Sequence, residues 1–318
     1  MSAAPDRILV IKLSAFGDFI LSLPALQAIR RAHPTAEITL LTTPAYAGLA
    51  EASGLFDRIW TDARPAAWRL CAWARLRSRL RGAGFRRVYD LQRNDRTGLY
   101  FRFFAAPKPE WVGVLRAGSH CYGDMRAARH IAEREREQLA LAGVAVPAQA
   151  DLDFLDGPLS DFGLPARFAL LVPGCAPSRP EKRWPAERYG ALARALEARG
   201  LRPVLLGTQA EAEALDRVAA ACPAALDLRG RTSIGQIAAL ARRATLAVGN
   251  DTGPMHVIAA AGCPTLSLFS AASDPDRIAP RGPRTARLQR ARLEALDLAE
   301  VLDALEQLAG GGDHGGDL

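Results

Sequence analysis

Twice along this chain a short apolar strand runs into a polar turn and then a helix. That alternation limits the possible folds more than any other feature. In the first half, "RILVIKL" (7–13) is apolar and rich in β-branched residues, as a strand buried on both faces must be. "SAFG" makes a turn. "DFILSLPALQAIRRAHP" repeats its apolar residues at helical spacing and stops before Pro34, and "AEITLLTTP" is the next strand. Strand, helix, strand within so short a stretch is a βαβ unit, which requires a parallel sheet with helices on its faces. "RRVYDLQ" (86–92) reads as a further short strand with polar residues at its C-terminal end.

The pattern restarts near residue 167. "RFALLVPG" is a strand ending in a Pro-Gly turn, and "PAERYGALARALEARG" an amphipathic helix stopped by Gly200. "RPVLLG", "ALDLRG", "TLAVGN" and "CPTLSLF" are strands. Between them lie the helices "TQAEAEALDRVAAAC", "SIGQIAALARRA", with Ser233 as N-cap, and "PMHVIAAAG". A last helical stretch, "ARLEALDLAEVLDALEQLA", follows. This predicts an α/β chain of two Rossmann-like domains, 1–158 and 159–309, joined in the Pro/Gly/Asp-rich "DLDFLDGPLSDFGLPAR", with a disordered Gly/Asp tail at 310–318. Ligands of open parallel sheets bind beyond the C-terminal ends of the strands. Two such domains facing across a cleft suit an enzyme with two substrates better than a simple binder.

Hydrophobic residues make up 49% and charged residues 24% of the 318, a globular composition. No apolar run approaches membrane-spanning length, and the N-terminal stretch is broken by charges, unlike a signal peptide, so a cytoplasmic protein is expected. Cys71, Cys121, Cys175, Cys222 and Cys263 are scattered without a CxxC pair, which predicts neither a zinc site nor a disulfide framework. The net charge of +7 is unevenly spread: residues 64–87 carry eight arginines and no acid. Such a stretch suits nucleic acid, an anionic membrane face or an anionic substrate, or else is a solvated helix with Trp68, Trp73 and Leu76 tucked beneath it.

The polar residues with chemistry fall at strand ends. In "KLSAFGDF", Gly17 permits a tight loop and Asp18 opens a helix. Asp18 either complements the helix dipole or faces the cleft as a general base. In "VPGCAPSRPEKRWP", Ser178, Arg179, Lys182 and Arg183 form either a solvated charge cluster or a phosphate clamp; the P-loop pattern is absent. In "VGNDTGPMHVIAAAGC", Asp251 or Thr252 can cap the helix that Pro254 begins, and the free N–H groups of that turn suit an anion. Gly253 allows close approach, and His256 faces either ligand or core. In "YDLQRNDRTG", Asp90, Gln92 and Asn94 either form a turn or meet a polar acceptor.

Taken in order, "ILVIKLSAFGDFILSLPALQAIRRAHPTAEITLLT", "YDLQ", "VPGCAPSRPEKRWPAERY", "LLGTQAE" and "LRGRTSIGQIAALARRATLAVGNDTGPMHVIAAAGCPTLSLF" resemble glycosyltransferase family 9, the heptosyltransferases of lipopolysaccharide core assembly. The resemblance implies a GT-B fold and an inverting, metal-independent transfer from a nucleotide-sugar donor, ADP-heptose in the best-known members. No cofactor is implied. Asp18 matches the family's base, Lys182 and Ser178 its donor-phosphate residues, and Asp251, Thr252, Gly253 and His256 its donor loop. Thr232 and Ser233 fall near the nucleobase and Glu211 at the ribose, while Lys12, Ser14, Gly17, Asp90 and Gln92 are expected at the acceptor. That acceptor would be an anionic glycolipid, reached at the cytoplasmic face of the inner membrane. Two departures stand out: Asp274 and Pro275 in "AASDPDRIAP" are one residue out of register, and Arg93 stands where a glycine is common. The alternative is a basic nucleic-acid-binding or regulatory protein, but the arginines do not interleave with an exposed aromatic platform. A nicotinamide dehydrogenase fails on the missing GxGxxG after the first strand.

Overall fold

The computed structural model describes residues 5–123 and 129–310; of the tail expected at 310–318, Gly310 ends the last helix and the rest lies outside the described residues. The chain forms two compact units, Met1–Asp151 and Leu152–Leu318. The first contains β1 (Arg7–Ile11), α1 (Phe16–Ala32), β2 (Glu37–Thr42), α2 (Pro44–Ala52), β3 (Arg58–Thr61), α3 (Leu70–Gly82), β4 (Arg87–Asp90), α4 (Asp95–Phe101), β5 (Glu110–Gly113), β6 (His120–Cys121) and α5 (Ile131–Ala140). All paired strands are parallel, in the order β3-β2-β1-β4-β5-β6. This is the doubly wound order, with its switch point between β1 and β4.

The second unit repeats that order. Its elements are β7 (Phe168–Val172), α6 (Ala186–Ala198), β8 (Arg202–Leu205), α7 (Ala212–Ala221), β9 (Leu226–Asp227), α8 (Ile234–Arg243), β10 (Leu246–Asn250), α9 (Gly253–Ala260), β11 (Thr265–Phe269), α10 (Pro275–Ile278), β12 (Thr285–Gln289) and α11 (Leu298–Gly310). The strands run β12-β11-β10-β7-β8-β9, all parallel. Alternate residues of β7 enter different cores. Ala169 and Leu171 pack with α6, α7 and α11, while Phe168, Leu170 and Val172 pack with α8 and α9. A strand covered on both faces has no polar side, which is why β7 reads as an unbroken apolar run.

The two units divide ahead of the boundary that composition suggests. Leu152, Leu155 and Phe162 are buried, and Arg242 of α8 donates to the carbonyls of Leu152 (2.6 Å) and Leu155 (2.8 Å). The polar linker therefore packs onto the second unit.

At the end of β4, Asp90 is 1% exposed. Its Oδ1 accepts from the backbone N–H groups of Gln92 (3.1 Å) and Arg93 (3.0 Å), and its Oδ2 from Thr97 Oγ1 (2.8 Å). Of the two expectations for Asp90, the geometry gives the turn and not the acceptor contact. Asn94 likewise caps α4 by accepting from Thr97 N. Burial raises the Asp90 pKa to about 6, against the hydrogen bonds that lower it. A carboxyl with a higher pKa folded than unfolded stabilises the fold below its unfolded pKa. That contribution is lost as pH rises through the folded value. Asp90→Asn should therefore gain stability relative to wild type, on the order of 2 kcal/mol, between about pH 4 and about pH 7. Urea unfolding of both proteins across that range checks it; parallel pH profiles would refute the buried, proton-holding carboxyl.

Candidate functional site

In the second unit three strand-end loops converge on Asp251. Its backbone N–H donates to Leu268 O (3.1 Å), which ties the end of β10 to β11. Its Oδ2 accepts from Lys182 Nζ and from Ser273 Oγ, both at 2.6 Å. The loop after β7 is thus joined to those after β10 and β11. Arg179 adds a second link, donating to Ala272 O (2.9 Å), and also pairs with Glu181 (2.5 Å). Ser178 is exposed on the same loop.

Because Asp251 is engaged with Lys182, it does not cap α9. Thr252 occupies the N-cap position, but its side chain makes no cap bond. The expectation that one of the two closes this helix is corrected. The first turn lacks a side-chain cap; Pro254 has no N–H and the Met255 N–H turns back to Thr252 O (3.2 Å), so the Gly253 amide and the positive end of the helix dipole are what remain beside Lys182. His256 is buried, 4% exposed, in the same helix. Gly249 is a packing glycine: a Cβ there would lie 2.4 Å from Met255 Sδ and 2.8 Å from Val172 Cβ.

Sequence reasoning passed over Asn250, which holds this arrangement. It is fully buried; its Oδ1 accepts from Trp184 N and Tyr189 OH (both 3.1 Å), and its Nδ2 donates to Pro173 O (2.7 Å). The only signal was its place between a strand and "DTG". Ser273 was missed too, because the shifted register drew attention to Asp274. Asp274 caps α10, accepting from Asp276 N, and Pro275 is buried in its first turn.

Glu211 sits over the Pro-Gly turn. A Cβ on Gly174 would lie 2.5 Å from its carboxylate, whose Oε2 accepts from Thr208 N (2.6 Å) and Oγ1 (2.7 Å). A pocket of about 330 Å³ opens beside it, lined among others by Pro173, Gly174, Arg183 and Glu211. Ser233 is occupied structurally. It caps α8 reciprocally with Gln236, whose Nε2 donates to Pro158 O (2.9 Å). Thr232 beside it is half-buried.

In the first unit, the loop after β1 is held by Gln92, whose Oε1 accepts from Leu13 N (2.7 Å) and Ser14 N (3.0 Å). Gly17 and Asp18 lie in the first turn of α1, half-buried, and Asp18 Oδ2 accepts from Ala15 N (3.3 Å). Asp18 therefore does complement its helix, as the simpler reading has it, while staying partly accessible. Tyr46 stands close: burial first and the Asp18 charge second push its phenol pKa up. Arg64 Nη1 reaches Ser14 Oγ (3.4 Å). Lys12, expected at the acceptor, is 2% exposed and donates to Glu135 Oε1 (3.3 Å), so it faces the interior.

The arginine-rich stretch is only partly tucked in. Trp73 is half-buried, donating to Ala66 O (3.2 Å), and Leu76 packs on the core; Trp68 is 82% and Leu70 73% exposed.

A model of glycosyltransferase family 9 (heptosyltransferase) matches residues 73–301. The lipopolysaccharide core heptosyltransferase OpsX of Haemophilus influenzae is 26% identical over 298 residues, 87% of this chain and 82% of that protein. Lipopolysaccharide heptosyltransferase 1 of Pseudomonas aeruginosa is 28% identical over 289 residues, 83% of this chain and 78% of that one. Among solved structures, a family 9 glycosyl transferase from Veillonella parvula superposes with a TM-score of 0.81 at 22% identity, covering 98% of this chain and 99% of that one. E. coli heptosyltransferase WaaC with ADP gives 0.75 at 23%, covering 95% of this chain and 100% of the other. With the family model matching most of its length and the two doubly wound units of its fold, this chain belongs to glycosyltransferase family 9, the heptosyltransferases, and is a glycosyltransferase of the GT-B class.

Proposed function

We propose that the protein transfers heptose from ADP-heptose, with inversion, onto the inner core of lipopolysaccharide or a related glycan. The observation that carries this is the Lys182–Asp251 pair set beside the uncapped first turn of α9. A departing nucleoside diphosphate develops negative charge on its oxygens. A lysine and a helix N-terminus, fixed before the reaction, answer that charge without reorganising. The relatives support the donor: one is a lipopolysaccharide core heptosyltransferase, and one solved structure holds ADP.

In this reading Asp18 takes the proton of an acceptor hydroxyl. The freed oxygen pair bonds to the anomeric carbon as the bond from that carbon to the diphosphate oxygen breaks. ADP leaves with the electron pair, and attack from the opposite face inverts the centre. Ser178, Gly253 and His256 belong to the diphosphate side, with Glu211 at the ribose and Thr232 and Ser233 near the base. Ser14, Gly17 and Gln92 shape the acceptor side. We propose no resident metal or cofactor.

The acceptor is an anionic glycolipid, and we propose that the enzyme meets it at the cytoplasmic face of the inner membrane. What supports this is the α3 region: exposed Trp68 and Leu70 lead into a helix whose arginines face no acid within 64–87. An aromatic ring at the headgroup level with cations around it suits an anionic bilayer. Among the described residues no helix is long and apolar enough to cross one.

Asp18→Ala should lower kcat by about 10²- to 10⁴-fold with ADP affinity unchanged; near-normal turnover removes Asp18 as the base. Lys182→Ala should weaken ADP binding by about 10- to 100-fold, the range for a lost charge-assisted hydrogen bond. Calorimetric titration with ADP checks it, with GDP and UDP as the comparison; equal affinities in variant and wild type would exclude the clamp. Trp68→Ser/Leu70→Ser should reduce sedimentation with phosphatidylglycerol vesicles, and salt should reduce it further. Equal binding to neutral vesicles would contradict the membrane contact.

A further inference from the structure

Helix α5 turns a polar face inward: Glu135 is 1% exposed and Gln138 fully buried. Glu135 Oε1 accepts from Ser22 Oγ (2.7 Å) and Lys12 Nζ (3.3 Å), and Arg93 Nη2 lies 3.6 Å away. Lys12 and Arg93 are themselves 2% and 8% exposed, so two buried cations share one carboxylate. Buried charges are costly unless paired, and removing one partner strands the rest. Arg93 also has φ +55, a backbone region that favours glycine. Its side chain lies against Glu135, which accounts for an arginine at a position whose backbone suits glycine.

Ser22 extends this cluster to the candidate base. Its Oγ lies 2.7 Å from the backbone carbonyl of Asp18 as well as from Glu135 Oε1. Its one hydroxyl proton is shared between the two acceptors. Glu135 therefore reaches the first turn of α1 through Ser22 and the preceding loop through Lys12. Gln92 fixes the same loop separately, through the amides of Leu13 and Ser14.

We propose that Glu135 is a positioning residue: acting through Ser22 and Lys12, it fixes the turn that presents Asp18 to the acceptor, and Arg93 makes that hold depend on its charge. The inference rests on Asp18 being the base. Glu135 touches no substrate, so its loss acts on the chemical step and not on donor binding.

The test compares Ser22→Ala, Glu135→Gln, Glu135→Gln/Arg93→Gly and Asp18→Asn in the full chain, reading kcat, donor KM and ADP affinity. Misplacing a catalytic group by a fraction of its reach lowers kcat alone. We expect a loss of about fivefold for Ser22→Ala and about 10- to 100-fold for Glu135→Gln, with ADP affinity and donor KM held within about twofold. Adding Arg93→Gly removes one of the two stranded cations and should restore about tenfold of the Glu135→Gln loss. Full kcat in Ser22→Ala or in Glu135→Gln overturns the proposal. So does a double variant no faster than Glu135→Gln, or a loss of ADP affinity in step with kcat. Should Glu135→Gln fail to fold, Ser22→Ala decides alone. If Asp18→Asn turns over normally, the base assignment itself fails; if Asp18→Asn is inactive while Glu135→Gln runs at full speed, only the positioning role fails.

Discussion

The buried amide of Asn250 is the contact on which the loops around Lys182 and Asp251 depend. It stands at the end of β10, where the parallel sheet stops supplying hydrogen bonds, and it provides the missing ones. Its oxygen receives the start of α6 and its nitrogen the Pro-Gly turn after β7. A buried side-chain amide with both ends satisfied fixes orientation as well as distance, because any rotation leaves a polar group unpaired. Trp184, anchored by its backbone to Asn250 and by Nε1 to Leu296 O (2.9 Å), ends the loop that carries Lys182. Lys182 therefore meets Asp251 from a loop pinned two residues away. The sheet sets where the loop begins, and Asn250 sets where it returns.

The first unit solves the same problem with charge. The loop after β1, which leads into the Asp18 turn, is held by Lys12 turned inward to Glu135 and by Gln92 across its amides. Ionised groups in an interior are poor sources of net stability, but they are strict about partners. A partner lost from a buried amide network costs about 1–3 kcal/mol, and one lost from a buried charge cluster about 3–5 kcal/mol. The three-charge cluster therefore makes the geometry of this turn the more sensitive of the two, to residues as distant in sequence as Arg93 and Glu135.

Much of this was legible in the sequence. The βαβ rhythm is carried by backbone periodicity, so β1, β7 and β10 with their following helices could be read directly from apolar runs and turn residues. The strand-end position of Asp18, Lys182 and Asp251 follows from that rhythm. What stayed hidden depends on side chains meeting across long separations. Lys12 looks like a ligand-facing cation until Glu135, from a helix more than a hundred residues later, is placed against it. Ser273 looks like a loop serine beside a conspicuous Asp-Pro. Asp90 offers a carboxylate at a strand end, where a ligand contact and a turn have the same sequence signature; only burial separates them. Trp68 and Trp73 share an arginine-rich context, yet one ring is covered by Arg96, 4.5 Å from its centre, and the other stands in solvent.

On the proposed reading, the Lys182–Asp251 contact also bears on how a phosphate site can be ready before its ligand arrives. An unpaired lysine at a half-buried position would be disordered and heavily hydrated, and binding would have to order it. Held by Asp251, the ammonium keeps one proton in that bond and two more for other acceptors. Ser273 donates to the same carboxylate oxygen and so shares the neutralisation of Asp251. The lysine is then less tightly claimed by its partner than in a simple two-body pair. On the proposed reading, the diphosphate does not have to break the pair; it adds to it. Asp251 orients the cation, Ser273 tempers the carboxylate, and the Gly253 amide at the uncapped start of α9 adds a backbone donor, which loses no rotamer freedom when a ligand binds.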